Sequence, residues 1–401
     1  MTAPAPSNQR FPALDGVRAL AALAVVLMHV GFDTNRSVQP DLFGAIIARG
    51  DFGVTVFFLL SGFLLYRPFA LHSFGQAPAP LVAEFLWRRA LRIFPALWVL
   101  TAITLAVITP YRVRASDWLH YLLLIQTYDH HDYDPNLTQL WTLTVEVSFY
   151  ALLPIFAALV GGPRRDPARV LRRHVGMLAG CVTVAIAYNL VQSHTELTRT
   201  QALLWLPGYL DWFAGGMALA VLTALPAELA QHGRVIRTVR VWAAKPGTCW
   251  LLAAVLFFLS TLPIGIPRTL APALFWQWTT QHYLYLGSAF FTLLPFVLGT
   301  TPRSSAVLGN RFARLMGNIS YSVYLWHVPL MLWIQRQFGW AEFHGSHFPE
   351  LLTLTLGATV AVATASWFLV ERPILRYGSR PWRGSPRAAS RATASTATHS
   401  N

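Results

Sequence analysis

The stretch LDGVRALAALAVVLMHV, residues 14–30, decides the fold. Asp15 and Arg18 stand near its start and His29 near its end, and everything between Arg18 and His29 is Ala, Leu, Val or Met. A run of this kind is long enough to cross a hydrocarbon core as a helix, which takes roughly 17 to 25 residues. Arg18 and His29 lie eleven positions apart, or three turns plus about 20°, so they share one helix face with a rise of roughly 16 Å between them. Asp15 precedes Arg18 by three and can pair with it. A guanidinium and an imidazole on one face of an apolar helix are expensive in lipid unless they face a cavity or a partner.

The rest of the chain agrees with a membrane setting. Of its 401 residues, 54% are apolar or aromatic and 12% charged, against roughly a quarter charged in a soluble domain. That excludes a water-soluble enzyme, whose surface such a composition could not cover. Further apolar runs fall near 52–70, 94–110, 140–160, 174–192, 203–222, 248–264, 283–300, 319–336 and 351–370. With the first, near 13–32, they predict an all-α polytopic membrane protein of about ten transmembrane helices. The formal charge of +14 comes almost wholly from arginine, Lys245 being the only lysine. With both termini cytoplasmic, 24 of the 31 basic residues fall on the cytoplasmic side, the bias that fixes orientation. The charge therefore reads as topological, and no nucleic-acid partner is expected. Residues 1–10 read as a disordered, uncleaved leader, 11–377 as one membrane domain, and the Arg/Ser/Ala/Thr/Pro-rich 378–401 as a disordered cytoplasmic tail. Cys181 and Cys249 are expected to pack rather than pair.

Other ionisable residues inside the runs mark candidate chemistry. Glu146, in QLWTLTVEVSFYALLP, lies about 9 Å below the outer surface, a depth similar to that of His29. An imidazole with a carboxylate to orient it is what general-base chemistry on a hydroxyl needs, although a structural ion pair would look the same. Tyr150 shares the face of Glu146. Trp141 sits near the interface, where a belt anchor is the simple reading. Arg89 and Arg92 are three apart at the start of the third run, so their side chains can converge on a phosphorylated ligand. They also match ordinary inner-loop arginines. Ser61 and Gly62, near mid-membrane, allow close helix packing or leave room for a narrow chain. His327, in SYSVYLWHVPL, again needs a partner. The loop segment YDHHDYD has the composition of a metal tract without its spacing, and no metal site is expected.

Taken in order, these elements resemble the acyltransferase type 3 family of integral membrane O-acyltransferases over about residues 9–377. The motifs are Arg18 with His29, the F-F-x-x-S-G-F element from Phe57 to Phe63, R-x-x-R at Arg89 and Arg92, W-x-L-x-x-E around Trp141 and Glu146, and SYSVYLWH ending at His327. The resemblance implies an acyl-CoA co-substrate, usually acetyl-CoA, arriving from the cytoplasm, with no permanently bound cofactor. It implies a hydroxyl-bearing acceptor: a sugar, a cell-envelope glycan or a macrolide metabolite. On that reading Arg18, Arg89 and Arg92 attract the coenzyme A phosphates and the pantetheine arm passes Ser61. His29 acts as catalytic base supported by Glu146, with Asp15, Trp141, Tyr150 and His327 in support. Some members carry a fused extracytoplasmic hydrolase-like domain; here the membrane unit is expected to act alone, in a bacterial inner membrane. Direct transfer and a transient acyl-enzyme both remain open. The competing class is a proton-coupled transporter, which uses similar intramembrane groups, but no inverted repeat is visible.

Overall fold

In lipid, every backbone N–H and C=O must be satisfied within its own segment. Apolar runs therefore become helices, and the computed structural model contains no strand among its described residues, 10–128, 134–194, 201–268, 274–299, 301–341, 343 and 347–378. The ten runs coincide with ten principal helices: α1 (Ala13–Asp33), α2 (Phe52–Ser73), α3 (Val82–Ile103), α4 (Trp141–Val160), α5 (Pro167–His194), α6 (Leu210–Ala224), α7 (Pro246–Thr261), α8 (Phe275–Leu298), α9 (Arg311–Phe338) and α10 (Phe348–Ser366). The chain before residue 10 and after residue 378 lies outside the described residues, as do Asp129, His130, His131 and Asp132 of the loop tract.

Six helical stretches are long and apolar enough to cross a membrane by themselves: those built on α1 to α5 and on α10. A seventh is reached if the short helix Arg234–Ala243 is counted with α7, from which it is bent by 93°. This is fewer than the expected ten. Helices α6 and α7 have only 15 and 16 residues, about 22–24 Å of rise. Helices α8 and α9 are long, but they carry buried polar residues such as Gln281, His282, Ser320, Ser322 and His327. These polar residues, buried against neighbouring helices, lower the mean hydropathy of both segments. Large apolar side chains cover the outside of the molecule; Leu369 is 77% exposed and Val107 73%. An apolar exterior around a partly polar interior is the inverse of a soluble domain, and the protein is a multi-pass membrane protein.

The centre of the bundle is the crossing of α2 with α6. Gly62 faces the backbone of Phe213 and Gly216 faces the backbone of Leu59, so closely that a Cβ on either would collide with the opposing carbonyl oxygen. Small residues let helix backbones meet in this way. Phe58 stacks on Phe213 at 4.7 Å and Phe213 on Phe149 at 4.0 Å, joining α2, α6 and α4. Helix α1 packs between α9 and α2. Two π turns, Thr104–Ile108 and Trp367–Glu371, extend α3 and α10; such turns recur at functional sites. Both cysteines are buried free thiols.

Candidate functional site

A cavity of about 480 Å³ opens between α1, α2, α3, α4 and α9. Arg18, Arg89 and Arg92 line it together with Ser61, Glu146 and Tyr150, so the residues singled out for donor binding converge. The topology explains why. Arg18, Arg89 and Arg92 all lie in the N-terminal halves of odd-numbered helices, α1 and α3, and Asn318 joins them from the same end of α9.

The three guanidinium groups are not equivalent. Arg18 lies 3.6 Å from the carboxylate of Asp15, the expected pair. Arg92 donates to Glu371 at 2.9 Å and lies over the rings of Tyr321 and Trp367. Glu371 is buried, and it also accepts from Ser322. Arg89 has no described ion pair, and its Nε is buried without a hydrogen-bond partner. It is therefore the cavity arginine with the most capacity left for an anion. Its neighbour Arg88 is paired with Glu84.

Glu146 does not meet His29. Its carboxylate accepts from the Ser61 hydroxyl on the cavity wall, and His29 is turned instead toward α9. An expected equal depth could not supply direction, because α9 occupies the face of α1 that carries the imidazole. His29 Nδ1 lies 3.0 Å from the Val25 carbonyl and 3.2 Å from His327 Nε2. His327 Nδ1 lies 2.7 Å from the Tyr324 carbonyl. Carbonyls only accept, so neutral His327 carries its proton on Nδ1 and offers Nε2 as an acceptor. His29 then donates from Nδ1 to Val25 and His327, which leaves the lone pair of its Nε2 outward as a base. His327 thus takes the orienting place anticipated for Glu146. The His29 ring meets the cavity wall through two further rings: His327 at 4.9 Å, then from His327 to Tyr324 at 5.6 Å. Tyr324 lines the cavity, and its hydroxyl accepts from Thr142 at 2.9 Å.

Two expectations for small and aromatic residues separate cleanly. Ser61 faces the cavity, while adjacent Gly62 serves the α2–α6 contact. Trp141 packs on Phe58 and Tyr209. No group of three or more His, Cys, Asp or Glu side chains among the described residues could hold a metal ion. The residues that sequence reasoning missed are Glu371, Tyr321 and Trp367 around Arg92, and a second buried set, Asp51, Asp211 and His282. Asp51, His282 and Glu371 each sit within one residue of a boundary drawn for an apolar run, where they pass for interfacial residues, whereas Asp211 lies well inside the 203–222 run.

The profile of the acyltransferase domain family matches residues 11–370. The chain is 24% identical over 412 residues to the peptidoglycan O-acetyltransferase OatA of Listeria monocytogenes, covering 93% of this chain and 57% of that protein. It is 21% identical over 410 residues to the O-acetyltransferase OatA of Staphylococcus aureus, covering 96% of this chain and 60% of that one. It therefore spans somewhat over half the length of these relatives. No solved structure matches it. The ordered motifs, the cavity they line and a match over nearly the whole described chain lead to one conclusion: the protein belongs to the acyltransferase type 3 family.

Proposed function

We propose that this protein transfers an acetyl group from acetyl-CoA to a hydroxyl of a cell-envelope glycan, acting in a bacterial inner membrane through ten spans with both termini cytoplasmic. The observation that carries the reading is the convergence of three arginines on a single cavity, with Arg89 in no described ion pair and its buried Nε without a hydrogen-bond partner. In this orientation the odd-numbered helices begin in the cytoplasm, so the arginine end faces the donor pool. The phosphates of coenzyme A take Arg89 first, with Arg18 and Arg92 adding charge, and the pantetheine arm runs inward past Ser61. Tyr324 moves aside to let the thioester reach His29. His29 Nε2 takes the proton of the acceptor hydroxyl, the oxygen attacks the thioester carbonyl, and the C–S bond breaks. The departing thiolate recovers the proton from the imidazolium. Glu146 acts at the cavity wall through Ser61. Relatives named as O-acetyltransferases favour this reading over a transporter.

The test is calorimetric titration of acetyl-CoA into the protein in nanodiscs. Arg89→Gln removes charge-assisted hydrogen bonds of about 1.5–3 kcal/mol and is expected to weaken binding roughly 10- to 100-fold. Arg88→Gln, whose guanidinium is held by Glu84, is expected to bind as the unmodified protein does. Absence of acetyl-CoA binding, or equal effects of the two substitutions, would sink the reading.

A further inference from the structure

A second, smaller cavity of about 100 Å³ lies at the other end of the bundle from the arginines. It is built where four even-numbered helices begin: Asp51 immediately precedes α2, Trp141 opens α4, Tyr209 immediately precedes α6, and Trp278 lies in the first turn of α8. Its interior combines two kinds of surface. His282 is sandwiched between Trp212 at 4.5 Å and Trp278 at 4.7 Å, with ring planes 21° and 27° from parallel. The His282 Nε2 lies 2.9 and 2.8 Å from the two oxygens of Asp211, and both residues are buried. Asp51 contributes a carboxylate that accepts from Tyr285 at 2.6 Å, and Gln281 an amide that donates to Tyr285 at 3.1 Å.

Ordered rings beside buried carboxylate and amide groups are more than the packing of helix ends needs. A lipid chain would have no use for the polar set, and a bare anion would be repelled by Asp51 and Asp211. A sugar ring fits both surfaces: its C–H face lies on an aromatic plane, and its hydroxyl edge is met by fixed acceptors and donors. Trp278 is only half-buried and lines the cavity, so part of its ring is left to a ligand. Val54 lines both this cavity and the arginine cavity, so a sugar held here stands against the wall of the donor site.

We infer that this cavity is the acceptor subsite and that it takes one pyranose residue of the glycan, stacked on Trp278 with its hydroxyl edge toward Asp51 and Gln281. The inference rests on the acetyl-transfer reading, but it is tested separately. The probe is a soluble peptidoglycan glycan strand, titrated calorimetrically into the protein in nanodiscs without acetyl-CoA. Trp278→Ala is expected to weaken strand binding at least about tenfold. Trp278→Phe, which keeps an aromatic face, should retain it within about threefold. Asp51→Asn preserves size and the Tyr285 contact, and is expected to lower affinity severalfold. All three variants should bind acetyl-CoA as the unmodified protein does, which also reports that they fold. Unchanged strand binding in both Trp278→Ala and Asp51→Asn overturns the subsite while leaving the donor site standing. Failure of the unmodified protein to bind the strand overturns the glycan assignment. Failure to bind acetyl-CoA instead overturns the reading on which both rest.

Discussion

His29→Ala is expected to lower acyl transfer by roughly two to four orders of magnitude, the usual contribution of a positioned general base, with acetyl-CoA affinity unchanged. The separation follows from geometry. His29 contributes nothing to the lining of the arginine cavity, so donor binding does not depend on it. Its two Nδ1 contacts, to Val25 and His327, leave Nε2 as the basic atom. His327→Ala tests the same arrangement from behind: with the orienting ring gone, transfer should fall but not vanish, because the Val25 carbonyl still holds the His29 tautomer. Thioester consumption with a glycan-strand acceptor measures both variants, and a donor titration measures binding. Normal transfer by His29→Ala would eliminate it as the base, and loss of donor binding would assign it to the cavity instead.

Gly216→Leu is expected to abolish folding. A side chain there drives into the carbonyl of Leu59, and the reciprocal contact of Gly62 with Phe213 prevents α2 and α6 from sliding apart on one side only. Overpacking a core commonly costs about 1–3 kcal/mol when side chains can yield; here the obstacle is backbone, and the loss should exceed that range. Gly180→Leu is the control, since a Cβ at Gly180 meets nothing within 4 Å. Size-exclusion profiles after a heating series in detergent should show Gly216→Leu absent or aggregated and Gly180→Leu close to the unmodified protein. A monodisperse Gly216→Leu protein of ordinary thermal stability would contradict the crossing described above.

The helical class, the location of the main helices and the gathering of Arg18, Arg89, Arg92 and Ser61 were legible in the sequence. Hydropathy marks the segments, and helical spacing shows which residues share a face. What spacing cannot supply is the rotation of one helix against another. Glu146 and His29 belong to different contacts, and the partner of His29 came from α9. The same limit explains Glu371. Beside Arg372 at the end of an apolar run it reads as a surface residue, yet the π turn Trp367–Glu371 carries its carboxylate inward to Arg92. Asp51 and His282 were passed over for a related reason, since a hydropathy boundary is not a depth gauge where helices begin inside the bundle; Asp211, well inside the 203–222 run, is as legible there as Glu146.

Val54 is the one described residue that lines both cavities, and it is itself buried. On the functional reading given above, this makes the protein a partition as well as a catalyst. A nucleotide-bearing carrier would stay on one side and a polymer on the other, with a wall that includes Val54 between the two cavities and only a two-carbon unit exchanged between them. The permeability barrier of the membrane then survives each turnover because neither carrier has to cross it.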